Sequence, residues 1–377
     1  MSPPSPQVEV ADEPTIRQMA APMGFALLGV APAEPSPHRA CIEQWLADEH
    51  HGEMGYLARN LETRIDPRRF LPGARSVISV ADIHPATEPD ADAAPFGTAP
   101  RGRVARYAWG DDYHETIKRR LHALADQLRR RWPDDVFRSC VDTAPTLERE
   151  HALLAGLGWI GKHTLLIHPR LGSWLLLGQI VTTLPIEPEA ARKPVTDHCG
   201  TCTRCIDACP TDCIAPSGYS MDADRCISYL TIEHRGPIDR GLQEKMVDWI
   251  AGCDVCQEVC PFNEEGRPER SGEGQPPAYQ PQYATRPPGP TVSLLEILGW
   301  SQEDRRAAFR KSALKRIKLD QLKRNALIAA GNHLAEHEDQ QLEAKVRELA
   351  EDEAEAPLVR ETARQVLERL QGVGGSG

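Results

Sequence analysis

The sequence predicts a mixed α/β (α+β) domain, then a small cysteine-rich module and an α-helical tail. Three observations predict this order. Up to about residue 190, short apolar runs alternate with amphipathic stretches of helical spacing. Nine of the 11 cysteines fall between 199 and 260, and eight of these, all but Cys213, form two spaced runs with one isolated member. Beyond a segment rich in proline and glycine, only helical spacing is found. We therefore divide the chain into segments 1–190, 191–263, 264–292 and 293–377.

Each element of the first segment is predicted from its apolar spacing and its punctuating residues. An aspartate at 111 or 112 is a typical helix start, and Gly172 marks a turn between two strands. The stretch 84–100 has no periodicity and is predicted to be a surface loop. The predicted elements are helical turns over 37–60, a strand over 76–82, a helix from 111 or 112 to 131, a strand over 136–141, a helix over 146–157 and a strand pair, 164–168 with 174–183.

The second segment contains the pattern C-x2-C-x2-C-x3-C-P, which is typical of bacterial ferredoxins, where the fourth cysteine ligates the other of two cubane clusters. A second run, C-x2-C-x3-C-P, lacks one thiolate, which the isolated Cys226 supplies. This logic predicts two 4Fe-4S clusters, although the places of Cys209 and Cys260 remain exchangeable. The predicted ligands are Cys199, Cys202, Cys205 and Cys260 for cluster 1, and Cys209, Cys226, Cys253 and Cys256 for cluster 2.

Structural zinc is the alternative interpretation of these cysteines, but zinc sites seldom need three evenly spaced cysteines followed by Cys-Pro. A disulfide framework is disfavoured because a chain of 377 residues can bury a large core without covalent links. The three remaining cysteines are expected to be small buried hydrophobic residues. They are Cys41, Cys140 and Cys213.

The third segment is a strap in which prolines exclude any continuing helix. The fourth shows several short helices in succession, which suggests a small HEAT-like repeat. Because only about two helix pairs are present, the tail is expected to pack against the rest of the protein. The predicted helices are 294–298, 302–318, 321–334, 339–350 and 356–370.

Charge is distributed unevenly along the chain. The net charge of −11 argues against a generally cationic surface for nucleic acid. Between 301 and 324, however, the chain has nine basic residues and three acidic ones. On a helix, Lys311, Lys315 and Lys318 would form one cationic ridge suited to phosphate, and the alternative is a solvated helix face.

No apolar run is long enough to span a membrane. The first residues lack the basic region and the apolar core of a secretory signal peptide. We therefore expect no secretory signal and no membrane contact. Reduced thiols and air-sensitive clusters favour the cytoplasm.

The first segment also carries candidate chemistry. Asp142 follows an apolar strand, where open α/β sheets bind ligands, and partial burial would raise its pKa and suit it to donate a proton. The alternative is a helix N-cap. The glycine-flanked turn 158–163 is suited to holding a large cofactor. Within it, His163 is expected to be a hydrogen-bonding wall residue rather than a metal ligand.

Taken together, several stretches resemble the epoxyqueuosine reductase family. They are Ala105–His114, Val141–Pro145, Gly158–Leu166, the eight cysteines, and Phe309–Arg316 with Lys323–Leu327. The resemblance implies a cobalamin-dependent cytoplasmic enzyme, related to reductive dehalogenases, that reduces epoxyqueuosine to queuosine at the wobble position of tRNA. An external donor would supply electrons through the clusters to the cobalt.

The resemblance also implies roles for individual residues. Asp142 would be the proton donor beside cobalamin. The other residues of the cobalamin-facing segments are Arg64, Tyr107, Lys162 and His163. The residues that would bind the anticodon stem-loop of tRNA are Arg310, Lys311, Lys315, Arg316 and Arg324. Cobalamin would lie between the α/β domain and the cluster module, and the chain is expected to be a monomer.

Three other functions compete with this one. A cobalamin and iron–sulfur reductase of a small molecule, similar to reductive dehalogenases, would not need the basic tail. A ferredoxin-like carrier would bind no cobalamin. A nucleic-acid-binding protein with structural clusters would bind tRNA without reducing anything.

Overall fold

A computed structural model of the chain describes residues 10–84, 100–189, 195–264 and 279–374. The strands are β1 (Ala11–Asp12), β2 (Leu27–Pro32), β3 (Ser76–Ile83), β4 (Arg101–Val104), β5 (Phe137–Cys140), β6 (Trp159–Ile160), β7 (Leu166–Ile167), β8 (Leu175–Thr182), β9 (Ile186–Glu187), β10 (Trp249–Ala251) and β11 (Thr291–Ser293). The helices of the first two segments are α1 (Glu13–Ala20), α2 (Arg39–Ala47), α3 (Tyr56–Arg59), α4 (Leu61–Ile65), α5 (Pro67–Phe70), α6 (Tyr113–Arg131), α7 (Glu148–Leu154), α8 (Arg204–Asp207), α9 (Ile227–Ile232), α10 (Arg240–Gln243) and α11 (Val255–Glu258). The tail helices are α12 (Leu294–Gly299), α13 (Gln302–Ala308), α14 (Leu319–Glu336), α15 (Gln340–Glu351) and α16 (Pro357–Gly374).

The main sheet has the order β2-β3-β8-β5, and every neighbouring pair is antiparallel. Helix α6 covers one face with the apolar stripe that includes Ile117 and Leu121, and α7 packs against the other face. Gly178 of β8 permits the close approach of α6, because an added Cβ would lie 2.6 Å from the Ile117 side chain. The mixed α+β prediction is thus confirmed for this domain. Because the sheet is antiparallel, however, the ligand-site argument for open α/β sheets does not apply to Asp142.

One strand pair was predicted wrongly. Strand β7 pairs with β6, and β8 pairs with β3 and β5 in the main sheet. The isolated bridge between His168 and Gly172 joins the end of the first predicted strand to the turn residue and not to the second strand. The long apolar β8 buries more apolar surface between β3 and β5 than it would in a hairpin with residues 164–168.

A second sheet connects the predicted segments. It has the order β10-β4-β11, and its strands come from the first segment, the cysteine module and the boundary of the strap. Beside it, one apolar core joins Val104 and Ile250 to the tail residues Leu322 and Val346. The tail therefore packs against the body of the protein, as its few helices required.

The predicted helix over 302–318 is broken. Helix α13 ends at Ala308, Lys311 has a positive φ of 63°, and a 3-10 turn follows over Ala313–Arg316. Lys311, Lys315 and Lys318 therefore do not share one helix face, and the predicted helical ridge is wrong. Buried Phe309 and Leu314 anchor the segment between the helices. We call residues 309–318 the basic segment.

Two predictions fall largely outside the described residues. Nearly all of the loop over 84–100 lies there, as does the first half of the strap. In its described half, Tyr283 is buried and donates a hydrogen bond of 2.6 Å to Asp82 of β3. Asp82 also pairs with Arg120 of α6, so the strap is attached to the first domain. Across the described ranges, no helix is long and apolar enough to cross a bilayer.

Candidate active site

Asp142 lies in a tight turn that follows the edge strand β5. Its φ of 47° is left-handed, a conformation that aspartate tolerates better than most residues. Its backbone amide donates a hydrogen bond of 2.8 Å to Oε1 of Glu148. Helix α7 begins at Glu148 with Leu147 as its N-cap, so the alternative role of Asp142 as a helix cap is wrong. The side chain of Asp142 is 46% exposed and thus accessible to a substrate.

A chain of charged contacts leads away from Asp142. Its Oδ2 lies 3.1 Å from Nε2 of His114, whose Nδ1 lies 2.7 Å from Oδ1 of Asp112. The second carboxylate oxygen of Asp112 accepts a contact of 2.7 Å from Nζ of Lys315. Asp112 is buried and caps α6, whereas Lys315 is exposed.

These contacts set the charges of the site. Burial lowers the pKa of His114, but the two carboxylates outweigh it and raise the pKa to about 9. Burial raises the pKa of Asp112, but contacts with His114 and Lys315 bring it down to about 2. The hydrogen bond from His114 lowers the pKa of Asp142. The predicted rise in the pKa of Asp142 is therefore wrong, and the proton of the pair resides on His114.

Glu148 is a second acid of the site that the sequence did not reveal. Desolvation, reinforced by the negative charge of Asp142, raises its pKa to about 8. His114 was also missed as a site residue. Both belong to or adjoin stretches on which the family resemblance rests, but no local pattern distinguishes their roles.

Arg64 and Tyr107 lie around the same site, and their contact with cobalamin stays a prediction. The Arg64 guanidinium is 5.8 Å from the centre of the Tyr56 ring, and burial lowers its pKa while Asp142 and Glu148 oppose that change. Tyr107 is half-buried and packs edge-on against Tyr113, with ring centres 6.2 Å apart. Burial raises the pKa of Tyr107, with Asp142 among the charges that act on it.

Lys162 and His163 occupy different environments. Nζ of Lys162 donates hydrogen bonds to the carbonyls of Gly200 (2.7 Å) and Cys202 (3.0 Å), so it braces the first cysteine loop. His163 is buried, and burial lowers its pKa to about 4. Its Nδ1 accepts a hydrogen bond from the Leu165 amide, whereas its Nε2 has no partner within the described part of the chain. Because Nδ1 accepts, the neutral ring carries its proton on Nε2, and His163 thus offers a buried hydrogen-bond donor.

The cysteines lie close together in the folded module. Burial raises the pKa of Cys260 to about 11, and the nearby thiols of Cys199, Cys205 and Cys202 add to the shift. Burial likewise raises the pKa of Cys256, and the nearby thiols of Cys253 and Cys226 add to that shift. Cys260 thus lies near the first run, and the assignment of ligands to the two clusters stays a prediction.

Two of the remaining cysteines differ from the simple expectation. Cys140 is buried, as predicted, whereas Cys41 is exposed. Cys213 is buried, but its Sγ lies 3.4 Å from Sγ of Cys209, so it borders the ligand set. The turn after Cys209-Pro210 places the Cys213 thiol next to that of Cys209. The spacing of the cysteines in the sequence did not indicate this contact.

The basic segment borders a surface cleft, which we call the basic cleft. It lies near Asp142 and His114, the acid–histidine pair. Arg316 lies towards Asp142, pairs with Glu233 at 2.5 Å and is 42% exposed. Arg310, Lys311 and Lys315, all predicted to bind RNA, are exposed on the cleft. The cleft is lined by Glu115, Arg305, Arg306, Phe309, Arg310, Lys311 and Lys315.

Arg324 has a structural role instead. It is 0% exposed, and its guanidinium donates hydrogen bonds to the carbonyls of Leu230 (2.6 Å) and Gly236 (2.6 Å). Asn325 accepts two more. Helix α14 lies beneath the module, so this face turns inward. The prediction that Arg324 contacts tRNA does not fit this burial, and we exclude Arg324 from the proposed interface.

Residues 198–263 match the family described as a 4Fe-4S double cluster binding domain. A module for two clusters, packed against a domain that presents a histidine–carboxylate pair, defines an iron–sulfur oxidoreductase. Residues 64–143 match the family described as epoxyqueuosine reductase QueG, DUF1730.

Two curated relatives extend the match to most of the chain. An epoxyqueuosine reductase of Leadbetterella byssophila is 38% identical over 314 residues, which is 82% of this chain and 95% of the relative. One from Pseudomonas aeruginosa is 36% identical over 333 residues, 88% of each chain. The protein belongs to the epoxyqueuosine reductase family.

Solved structures agree with this assignment. An epoxyqueuosine reductase in complex with a tRNA-Tyr epoxyqueuosine-modified stem loop superposes with a TM-score of 0.82, at 27% identity over 95% of this chain and 90% of the other. The structure from Streptococcus thermophilus gives 0.80 at 28% identity, over 96% and 90%. One from Bacillus subtilis, whose aspartate catalytic loop is swung out of the active site, gives 0.81 at 26% over 95% and 90%.

Proposed function

We propose that this protein reduces epoxyqueuosine to queuosine at the wobble position of tRNA, using cobalamin and two 4Fe-4S clusters. The observation that carries the proposal is the position of Asp142, paired with His114 and accessible beside the basic cleft. The family relationship supports the reaction, and the relative bound to an epoxyqueuosine-modified stem loop supports the substrate.

The residues present fit cobalamin, a large cofactor rich in amide groups. Nε2 of His163 and Nε of Arg64 are buried polar atoms with no protein partner among the described residues. We assign Arg64, Tyr107 and His163 to its binding, and Lys162 to the adjoining cluster loop. When bound, cobalamin supplies reducing chemistry that side chains lack, and the clusters supply its electrons.

The protein's own groups then position the substrate and move protons. Asp142 protonates the oxygen that leaves the epoxide, because its carboxylate is exposed and receives a proton from His114. Glu148 holds the Asp142 turn through the backbone amide. A relative's catalytic aspartate also lies on a loop, which supports the assignment.

The RNA interface that we propose is the basic cleft. Arg310, Lys311 and Lys315 line it, and the half-exposed Arg316 of the same segment lies towards Asp142. Such cations bind phosphates without reading sequence, so they would fix the register of the anticodon stem. This arrangement would place the wobble nucleotide near Asp142.

The remaining parts of the proposal are an external electron donor, a monomeric state and a cytoplasmic location. The cytoplasmic location rests on the cluster-forming thiols and on the location of tRNA. The HEAT-like description of the tail is likewise our interpretation of the succession α14 to α16.

Expression in a host that lacks its own epoxyqueuosine reductase tests the proposed function. We expect mass analysis of its tRNA nucleosides to show queuosine replacing epoxyqueuosine, with the loss of one oxygen. Expression of the Asp142→Asn variant in the same host is the matched control. Persistence of epoxyqueuosine with correctly folded, cluster-loaded protein would contradict the proposal.

A further inference from the structure

Two contacts attach Asp112 to the basic segment. Its backbone amide donates a hydrogen bond of 2.6 Å to the carbonyl of Lys311, and its Oδ2 lies 2.7 Å from Nζ of Lys315. The Asp112 side chain is 2% exposed, whereas that of Lys315 is 55% exposed. Lys315 thus reaches from the RNA-facing cleft to a buried carboxylate.

On its other side, Asp112 holds the histidine that contacts Asp142. The Asp112–His114 and His114–Asp142 contacts are 2.7 and 3.1 Å long. The His114 ring also stacks on Tyr113, with centres 3.9 Å apart. Three charge-assisted contacts therefore connect an exposed cation to the catalytic acid in a fixed geometry.

The reaction requires more protons than Asp142 holds. Converting an epoxide to an alkene breaks two carbon–oxygen bonds, forms a carbon–carbon double bond and releases the oxygen as water. This consumes two electrons, which the clusters deliver, and two protons. Asp142 is a carboxylate at rest because the hydrogen bond from His114 lowers its pKa, so both protons have to reach it from another group.

We propose that His114 is the proton store that recharges Asp142, and that Lys315 links the charge of this store to RNA binding. The inference rests on the proposed function. For each proton, Nε2 of His114 passes its proton to Oδ2 of Asp142, and Asp142 passes it on to the leaving oxygen. His114 then regains a proton from water, because 22% of its side chain is exposed to solvent.

The link to RNA follows from competition for one ammonium group. An RNA phosphate that binds Lys315 draws it away from Asp112, whose negative charge then acts more fully on His114. His114 holds its proton more firmly as a result, so its pKa rises above about 9. The store therefore stays charged while the substrate is bound.

Other charges surround the same pair and set the background for any titration. They are Asp112 and Glu115 at the start of α6, Glu148 and Arg149 of α7, Tyr107 and Tyr113, Tyr56 and Arg64, and Lys315 and Arg316 of the basic segment. Among the cations that line the cleft in the described part of the chain, Lys315 is the one whose side chain pairs with the Asp112 carboxylate.

The test measures proton uptake when the cluster- and cobalamin-loaded protein binds unmodified anticodon stem-loop RNA. Calorimetry near pH 9, in two buffers of different ionisation enthalpy, gives the number of protons taken up. We expect uptake near pH 9, none at pH 7, and loss of the uptake in His114→Gln. Lys315→Met should take up less than the matched control Arg310→Gln, which removes a cleft cation without touching Asp112.

Turnover gives a second readout. For Lys315→Met, the alkaline limb of kcat/KM, which reports the free enzyme, should move to higher pH, while that of kcat stays in place. Equal proton uptake in wild type and His114→Gln, or in Lys315→Met and Arg310→Gln, would overturn the inference and leave the proposed function intact. Failure to bind the RNA at all would overturn both.

Discussion

The carboxylate of Glu148 accepts a hydrogen bond of 2.8 Å from the backbone amide of Asp142. This contact ties the left-handed turn at Asp142 to the first turn of α7. It also places two acids side by side. Desolvation, reinforced by the repulsion between the two acids, explains why the pKa of Glu148 rises to about 8.

Glu148→Gln is expected to stabilise the protein at pH 8 and to change its stability little at pH 4.5. A folded-state pKa raised above 4.5 means that Glu148 favours folding only while it is protonated, and this contribution is lost as pH rises towards 8. The gain at pH 8 should be on the order of 2 kcal/mol. Denaturant unfolding at both pH values measures it.

The matched control is Glu303→Gln, on the exposed first turn of α13. It should change stability little at either pH. An equal effect of the two substitutions would contradict the assigned environment of Glu148.

Asp142→Asn should reduce the rate of epoxide reduction by about 100-fold or more, because an amide cannot donate the proton as an acid. Iron content and cobalamin binding should be unchanged. Single-turnover assays on loaded protein measure the rate. Asp126→Asn, an exposed change on α6, should retain full activity. Equal rates for wild type and Asp142→Asn would remove the proposed role.

Arg324→Met is expected to destabilise the fold by about 3 kcal/mol or more, because several buried acceptors lose their charged donor. Thermal unfolding measures the loss. The control, Arg310→Met, should leave the melting temperature unchanged and weaken RNA binding. A stable Arg324→Met protein that has lost RNA affinity would restore Arg324 to the interface.

Pairs of cysteine substitutions test the cross-ligation. Cys199→Ala with Cys260→Ala should leave about four of about eight irons, because both residues serve one cluster. Cys199→Ala with Cys209→Ala should lose both clusters. Iron analysis after anaerobic reconstitution distinguishes the pairs, and Cys41→Ala is the control. The reverse pattern would exchange Cys209 and Cys260.

The sequence predicted what depends on local spacing. Strand β3, helix α6 with its Asp112 cap and the cysteine runs were all readable, because apolar periodicity, capping and ligand spacing are properties of short segments. Strand β8 was found, but its partners were not. Its pairing with β3 spans about a hundred residues and leaves no local signal.

The charges of the site were predictable only in part. Asp142 was identified, but the lowered pKa depends on His114, which lies 28 positions earlier. The helix over 302–318 breaks where no glycine or proline stands, because Phe309 and Leu314 bury their side chains. Arg324 resembles a surface cation in sequence, and only the packing of α14 beneath the module reveals its buried role.

Anaerobic reaction of the purified, iron-, sulfide- and cobalamin-reconstituted protein with epoxyqueuosine-containing tRNA tests the central claim most directly. With a low-potential reductant, mass analysis of the digested nucleosides should show each epoxyqueuosine losing one oxygen to become queuosine. Omission of cobalamin should abolish the conversion. Unchanged epoxyqueuosine after reaction with fully loaded protein, or equal conversion without cobalamin, would contradict the account.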